Sequence, residues 1–305
     1  MLCLSRIPPP VHAPSRVLGW LIPAIALTCL LALPLAALES DAASDEQLKL
    51  RLGTPHSQVQ AGQEIPLILR FRLQDSWHLY WHNPGDSGMP PQVRADLPDG
   101  VSLSDWELPP PQHLIHAGLG TFALKGEVLL LATLRVSEDY AESVLPLRLR
   151  LDWLVCDDQI CLPGEAELAL SIPVSNGRGD DSNAEWQELV KRAALQRPQD
   201  MPNGLQAQGT PGTDQNHLAF LSFPAELLAE GESAWVVPSQ RGWLAAGQRQ
   251  QVTRDNEQAR IDIPRSRRPL PEQLQGLLII SAADGSPLRA YHLDLPFSPK
   301  TDAGE

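Results

Sequence analysis

The residues best equipped for chemistry are Cys156 and Cys161, in the run Leu154-Val-Cys-Asp-Asp-Gln-Ile-Cys-Leu-Pro-Gly164. They separate two segments that alternate apolar and polar residues. Leu145, Leu147, Leu149, Leu151, Trp153 and Val155 share one parity before the pair, and Ala166, Leu168, Leu170 and Ile172 share one after it. A period of two marks a strand with one face in a core, so the cysteines are expected at the tip of an antiparallel hairpin. Facing hairpin positions hold Cα atoms within the roughly 4.4–6.8 Å that a disulfide needs. Parity also gives direction. With Val155 inward, Cys156 is expected to face outward beside Asp152, Arg150 and Arg148, and Cys161 to share the polar side of Glu165 and Glu167. A one-residue shift at Pro163-Gly164 would alter that register.

A disulfide closing so short a loop removes little entropy from the unfolded chain, so a purely stabilising role is weakly rewarded. On a polar face its sulfurs can be reached by an attacking thiolate, which makes thiol-disulfide exchange the expected chemistry. A permanently closed structural staple is the competing reading. Asp157 and Asp158 disfavour a thiolate at Cys156, so an ordinary or raised thiol pKa is expected rather than that of a strong oxidant.

The elements that must carry the pair read as all-β. Leu48–Leu52 and Ile65–Leu73 alternate, the latter with Ile65, Leu67, Leu69, Phe71 and Leu73 on one face and Arg70 and Arg72 on the other. Trp77-His-Leu-Tyr-Trp-His82 follows and ends in Asn83-Pro-Gly-Asp-Ser-Gly88. The alternation over 48–174, broken by turn residues, is that of a β-sandwich. A Gly, Asp and Ser-rich linker is expected over 176–184. Ser182 stands three residues before Glu185 as a capping box, with Trp186, Leu189, Val190 and Ala193 at helical spacing, which predicts one short helix. Strand-like runs at Leu218–Phe223, Ala234–Val237, Ala259–Ile263, Leu277–Ile280 and Tyr291–Leu295 predict a second, smaller β-sandwich-like domain, the whole spanning 185–298.

The first forty residues set the address. Arg6 and Arg16 precede Val17–Leu38, which carries no charge, and an acidic stretch follows from Glu39. Residues 1–40 are therefore expected to be a signal peptide cleaved near Ala36-Ala37, or an uncleaved membrane anchor. Cys3 and Cys29 belong to this leader, which leaves Cys156 and Cys161 to the exported part, in a compartment that permits disulfides. The net charge of −13 over 305 residues argues against a nucleic-acid partner, since phosphate binding needs a positive surface.

Three ordered blocks carry a family resemblance. They are Trp77-His-Leu-Tyr-Trp-His-Asn-Pro-Gly-Asp-Ser-Gly-Met-Pro-Pro91, Gly118-Leu-Gly-Thr-Phe-Ala-Leu-Lys-Gly-Glu-Val128 and Trp153-Leu-Val-Cys-Asp-Asp-Gln-Ile-Cys-Leu-Pro-Gly-Glu-Ala-Glu-Leu168. Together they resemble the N-terminal periplasmic domain of the DsbD/ScsB-type thiol-disulfide interchange proteins, most closely the ScsB-like branch. The resemblance covers 45–175 and implies an immunoglobulin-like redox domain there, part of a periplasmic protein-disulfide reductase component whose redox pair is Cys156 and Cys161. Its electron donor would be a membrane-embedded thiol reductase, and its acceptors periplasmic proteins containing disulfides. It also implies a cap loop shielding the pair, matched here by Leu114 to Phe122. Leu114, His116, Gly118, Gly120 and Phe122 are the candidate residues, with Gly118 and Gly120 expected to give mobility. Relatives continue into a multi-spanning membrane domain, so with an end at Glu305 the expectation is either that a separate membrane protein supplies electrons or that the redox function is reduced to binding or delivery.

Two other functions compete. His78 and His82 beside Tyr80, with His113 and His116, could bind copper together with thiolates, although their spacing fits no specific metal site. Two sandwiches with a closed disulfide could instead form a non-catalytic docking module in the envelope. Hydrolysis lacks support, since there is no Gly-x-Ser-x-Gly, no His-Glu-x-x-His and no phosphate-cradling glycine loop, and no cofactor is expected. Asp86, Asp105 and Glu107 read as turn formers rather than paired carboxylates.

Overall fold

The computed structural model describes residues 39–175, 183–202, 208–211, 217–266 and 273–296. Residues 1–38, which hold nearly all of the expected leader with its expected cleavage site and Cys3 and Cys29, lie outside the described residues, as do most of the expected linker and Ser182. Eleven strands build the first part: β1 (Ala43–Ser44), β2 (Leu48–Gly53), β3 (Glu64–Leu73), β4 (His78–Gly85), β5 (Gln92–Asp96), β6 (Val101–Leu103), β7 (Gln112–His116), β8 (Leu119–Lys125), β9 (Glu127–Val136), β10 (Val144–Cys156) and β11 (Cys161–Pro173). They form two antiparallel sheets, ordered β1-β2-β3-β9-β6 and β11-β10-β4-β8-β7, with β5 on the side of β10. The inward parity expected of β10 is observed: Leu145, Leu147, Leu149, Leu151, Trp153 and Val155 are buried between the sheets with Phe71 and Leu79. This is the sandwich that the alternation predicts, of the immunoglobulin-like class that the resemblance implies.

The face of β3 that carries Arg70 is covered at Ile68 and Arg70. Helix α1 (Ala184–Leu195) lies over it, and Ile68, Leu129 and Leu131 form a second apolar cluster with Trp186, Leu189 and Ala193. Val128–Ala132 is a continuous apolar run, as a strand buried on both faces requires. Gly53 makes room for the Trp186 indole, which an added Cβ would strike. Arg70 is buried there and pairs with Glu127 and Glu185. The helix cap is Asn183, whose side-chain oxygen accepts from the Glu185 and Trp186 amides, in place of the expected Ser182.

The remaining strands are β12 (Gln208–Pro211), β13 (His217–Pro224), β14 (Ser233–Pro238), β15 (Gln251–Arg254), β16 (Gln258–Pro264), β17 (Gln273–Ser281) and β18 (Pro287–Pro296). Among the described residues they form two further antiparallel sheets, β12-β13-β16-β15 and β14-β17-β18. The buried apolar side chains of the two parts make one continuous cluster that runs through Phe122, Trp235, Leu244 and Ala246. No helix among the described residues is long and apolar enough to cross a membrane.

Candidate functional site

Strands β10 and β11 pair over thirteen positions and end with Cys156 opposite Cys161. The cysteines are disulfide-bonded, with Cα atoms 4.1 Å apart. The turn between them is held by Asp157, whose carboxylate accepts from the amides of Gln159 (2.7 Å) and Ile160 (2.8 Å) while its own amide donates to the Ile160 carbonyl. Those hydrogen bonds favour the charged form and lower the Asp157 pKa. The register is regular to the tip. Gly164 faces Trp153, and a side chain there would collide with the indole, so the glycine keeps the two long strands in step.

The two sulfurs are not equivalent. Cys161 is exposed, as its parity with Glu165 and Glu167 predicts. Cys156 shares that face yet is only 1% exposed, which corrects the expectation of an outward, accessible Cys156. The cover comes from β4. His78 is paired directly with Cys156, and two residues along, the Tyr80 hydroxyl donates to Cys156 Sγ at 2.8 Å and lies 3.8 Å from Cys161 Sγ. The His78 and Tyr80 rings meet edge to face at 5.2 Å.

Burial controls the electrostatics. It raises the Tyr80 pKa, so the phenol remains a donor at neutral pH. It also lowers the His78 pKa, assisted by the nearby Lys125 ammonium and opposed by Asp158 and Asp157. A neutral His78 and a protonated Tyr80 therefore flank Cys156. When the disulfide opens, the Tyr80 O–H is placed to stabilise the charge left on Cys156 Sγ, against the two aspartates beside it. Sequence reasoning places Tyr80 on its strand without giving it this role. Its signal is the same parity as His78 in an otherwise aromatic and apolar strand.

Tyr80→Phe keeps the ring and removes the donor. We expect it to slow reduction of the disulfide by dithiothreitol roughly ten- to a hundredfold, the range of one hydrogen bond to a charged group. Reduction at the wild-type rate would remove the hydroxyl from the mechanism.

The structure joins Cys156 and Cys161 but does not bring the candidate cap residues to them. Leu114 and His116 lie on β7, Gly118 in the turn at φ +79°, and Gly120 and Phe122 on β8. That turn packs beside Gly85 and Asp86, at the opposite end of β4 from His78: the Asp86 amide donates to the Gly120 carbonyl, and the Gly120 amide to Asp86 Oδ2. Phe122 points into the core and stacks on Trp235, 5.7 Å between centroids. The hairpin is also anchored to the second β-part. His113 Nε2–H donates to the Ala246 carbonyl at 2.7 Å, and the Asn83 amide donates to the carbonyls of Pro238 (2.7 Å) and Gln240 (3.2 Å). Gly120 serves close approach rather than mobility, because an added Cβ would strike the Ala246 carbonyl.

His82 is exposed while His78 is buried against the disulfide. Among the described residues no three His, Cys, Asp or Glu side chains gather as a metal-binding group. Glu107 is engaged by Arg197.

The family described as thiol:disulfide interchange protein DsbD, N-terminal, matches residues 51–173. The fold is similar to the crystal structure of the N-terminal periplasmic domain of ScsB from Proteus mirabilis, with TM-score 0.60 and 16% identity over 86% of this chain and 100% of that one. Weaker likenesses include the Neisseria meningitidis DsbD N-terminal domain in its reduced form, with TM-score 0.26 and 14% identity over 45% of this chain and 86% of that one. The yeast GGA1 GAE domain gives TM-score 0.25 and 9% identity over 42% and 95% of the two chains. No curated protein matches the chain.

Proposed function

Because residues 51–173 form a domain of the DsbD N-terminal family, we propose that the protein performs thiol-disulfide exchange in the periplasm, relaying reducing equivalents through Cys156 and Cys161. The donor in this reading is a membrane-embedded thiol reductase, and the acceptors are periplasmic proteins with disulfides. One observation carries it: a bonded cysteine pair with Cys161 open to solvent and Cys156 buried beneath a hydrogen-bond donor.

In this reading the asymmetry supports one order of steps. A donor thiolate attacks Cys161 Sγ, the Cys161–Cys156 bond breaks, and its electron pair goes to Cys156 Sγ. A second donor thiolate then takes up the donor sulfur and releases Cys161 as a thiolate, so the donor leaves oxidised. In delivery, the Cys161 thiolate attacks a client disulfide, and Cys156 attacks Cys161 Sγ in the resulting mixed disulfide to release the reduced client. Cys161 is the contact sulfur in both directions and Cys156 the resolving one.

The deciding measurement is the reduction potential of the pair, taken in a thiol redox buffer. A relay requires a value within reach of periplasmic partners. A value below about −300 mV would mark a closed staple and overturn the reading.

A further inference from the structure

A cavity of about 330 Å³ that the exchange steps do not use lies at the Lys125 end of β8. Lys125, Pro110 and Gln112 line it from the first sandwich, and Leu195, Arg197 and Leu288 from the other side. These last three lie outside residues 51–173, so the wall is an addition to the family's domain. Leu195 is 71% exposed and Leu288 49%, which leaves apolar surface uncovered at the cavity. Arg197 is neutralised by Glu107, whereas Lys125 makes no ion pair among the described residues.

The sheet register relates this cavity to the sulfurs. Cys161, Cys156, His78 and Lys125 stand side by side on β11, β10, β4 and β8, and directly opposed residues share a face. Three strand spacings separate Lys125 from Cys161, about 14 Å. An extended polypeptide covers that in about four residues.

We propose that the cavity docks an extended segment of the partner polypeptide about four residues from the partner's reacting cysteine. An apolar side chain of that segment lies against Leu195 and Leu288, and a carboxylate meets the Lys125 ammonium. The inference rests on the exchange reading and gives the second β-part a function in choosing partners.

The test uses the full oxidised chain and two synthetic peptides of equal composition. One carries Leu and Glu four and five residues from its single Cys, and the other has them moved next to it. In each reaction the peptide thiolate attacks Cys161 Sγ, the Cys161–Cys156 bond breaks, and Cys156 Sγ receives the electron pair and a proton from solvent. One mixed disulfide forms per peptide thiol consumed. Every rate is divided by the same protein's rate with dithiothreitol. The spaced peptide should react roughly tenfold faster, the ratio that about 1.4 kcal/mol of docking produces. Leu195→Glu/Leu288→Glu and Lys125→Glu should each bring the ratio close to one. Equal rates on the wild type, or a preference that survives both variants, overturn the docking alone. Concentration-dependent self-association abolished by the leucine variant also overturns it, by assigning the cavity to a second copy. A disulfide that dithiothreitol cannot reduce overturns the exchange reading as well.

Discussion

Cys156→Ser should trap a partner as a stable mixed disulfide at Cys161, while Cys161→Ser should trap none, and both should lose exchange completely. The variants remove the same disulfide. In the chain-entropy account a loop this short contributes about 2 kcal/mol of stability, lost equally by both, so stability cannot produce the difference. Access can. Cys161 is exposed, whereas Cys156 is 1% exposed beneath His78 and Tyr80, and an incoming disulfide must approach the attacking sulfur in line. Iodoacetamide should therefore alkylate Cys161 in the first variant roughly a hundredfold faster than Cys156 in the second, as expected when thiol reactivity is set by exposure and thiolate fraction. Comparable rates would mean that the cover over Cys156 opens freely in solution, and the assignment of Cys161 as contact sulfur would fail.

Gly120→Val should part the two β-parts along their shared seam. The new side chain would be driven into the Ala246 carbonyl and the Gly247 amide, and neither is the end of a side chain that could swing away. Opposite it, Gly247 has no room for a Cβ against the Gly118 carbonyl, so the two backbones touch through paired glycines. Opening this contact also exposes Trp235, which stacks on His113 at 5.3 Å and on Phe122 at 5.7 Å, and strands the Asn83 amide that now reaches Pro238 and Gln240. We expect a loss of about 3 kcal/mol, at the upper end for an overpacked site, with a red shift of tryptophan emission and faster proteolysis between the parts. A variant with wild-type melting and emission would show that the seam is not tightly packed. Gly120→Ala should fall between the two.

Much of this was legible because sheets impose a local code. Period-two alternation along Leu145–Val155 and Ala166–Ile172 was enough to pair β10 with β11, set Cys156 opposite Cys161 and expose Cys161. The helix was legible from Trp186, Leu189, Val190 and Ala193, and the five later runs from their composition. Alternation records which side of a strand a residue occupies. It carries no information on whether a distant segment covers that side.

The errors follow from that gap. Arg70 stands on the face of β3 opposite its apolar parity, yet is buried because α1, more than a hundred residues later, lies across it. The glycines of the β7–β8 hairpin suggest mobility by type, yet they meet the Ala246–Gly247 backbone, which is remote in sequence. By itself the sequence determined the strands, the register of the cysteine hairpin and the identity of the two sulfurs, since each follows from neighbours in the chain. Only the tertiary structure decided that one sulfur is buried and the other open. That difference comes from Tyr80, 76 residues before Cys156, and only a folded sheet brings its hydroxyl to the sulfur.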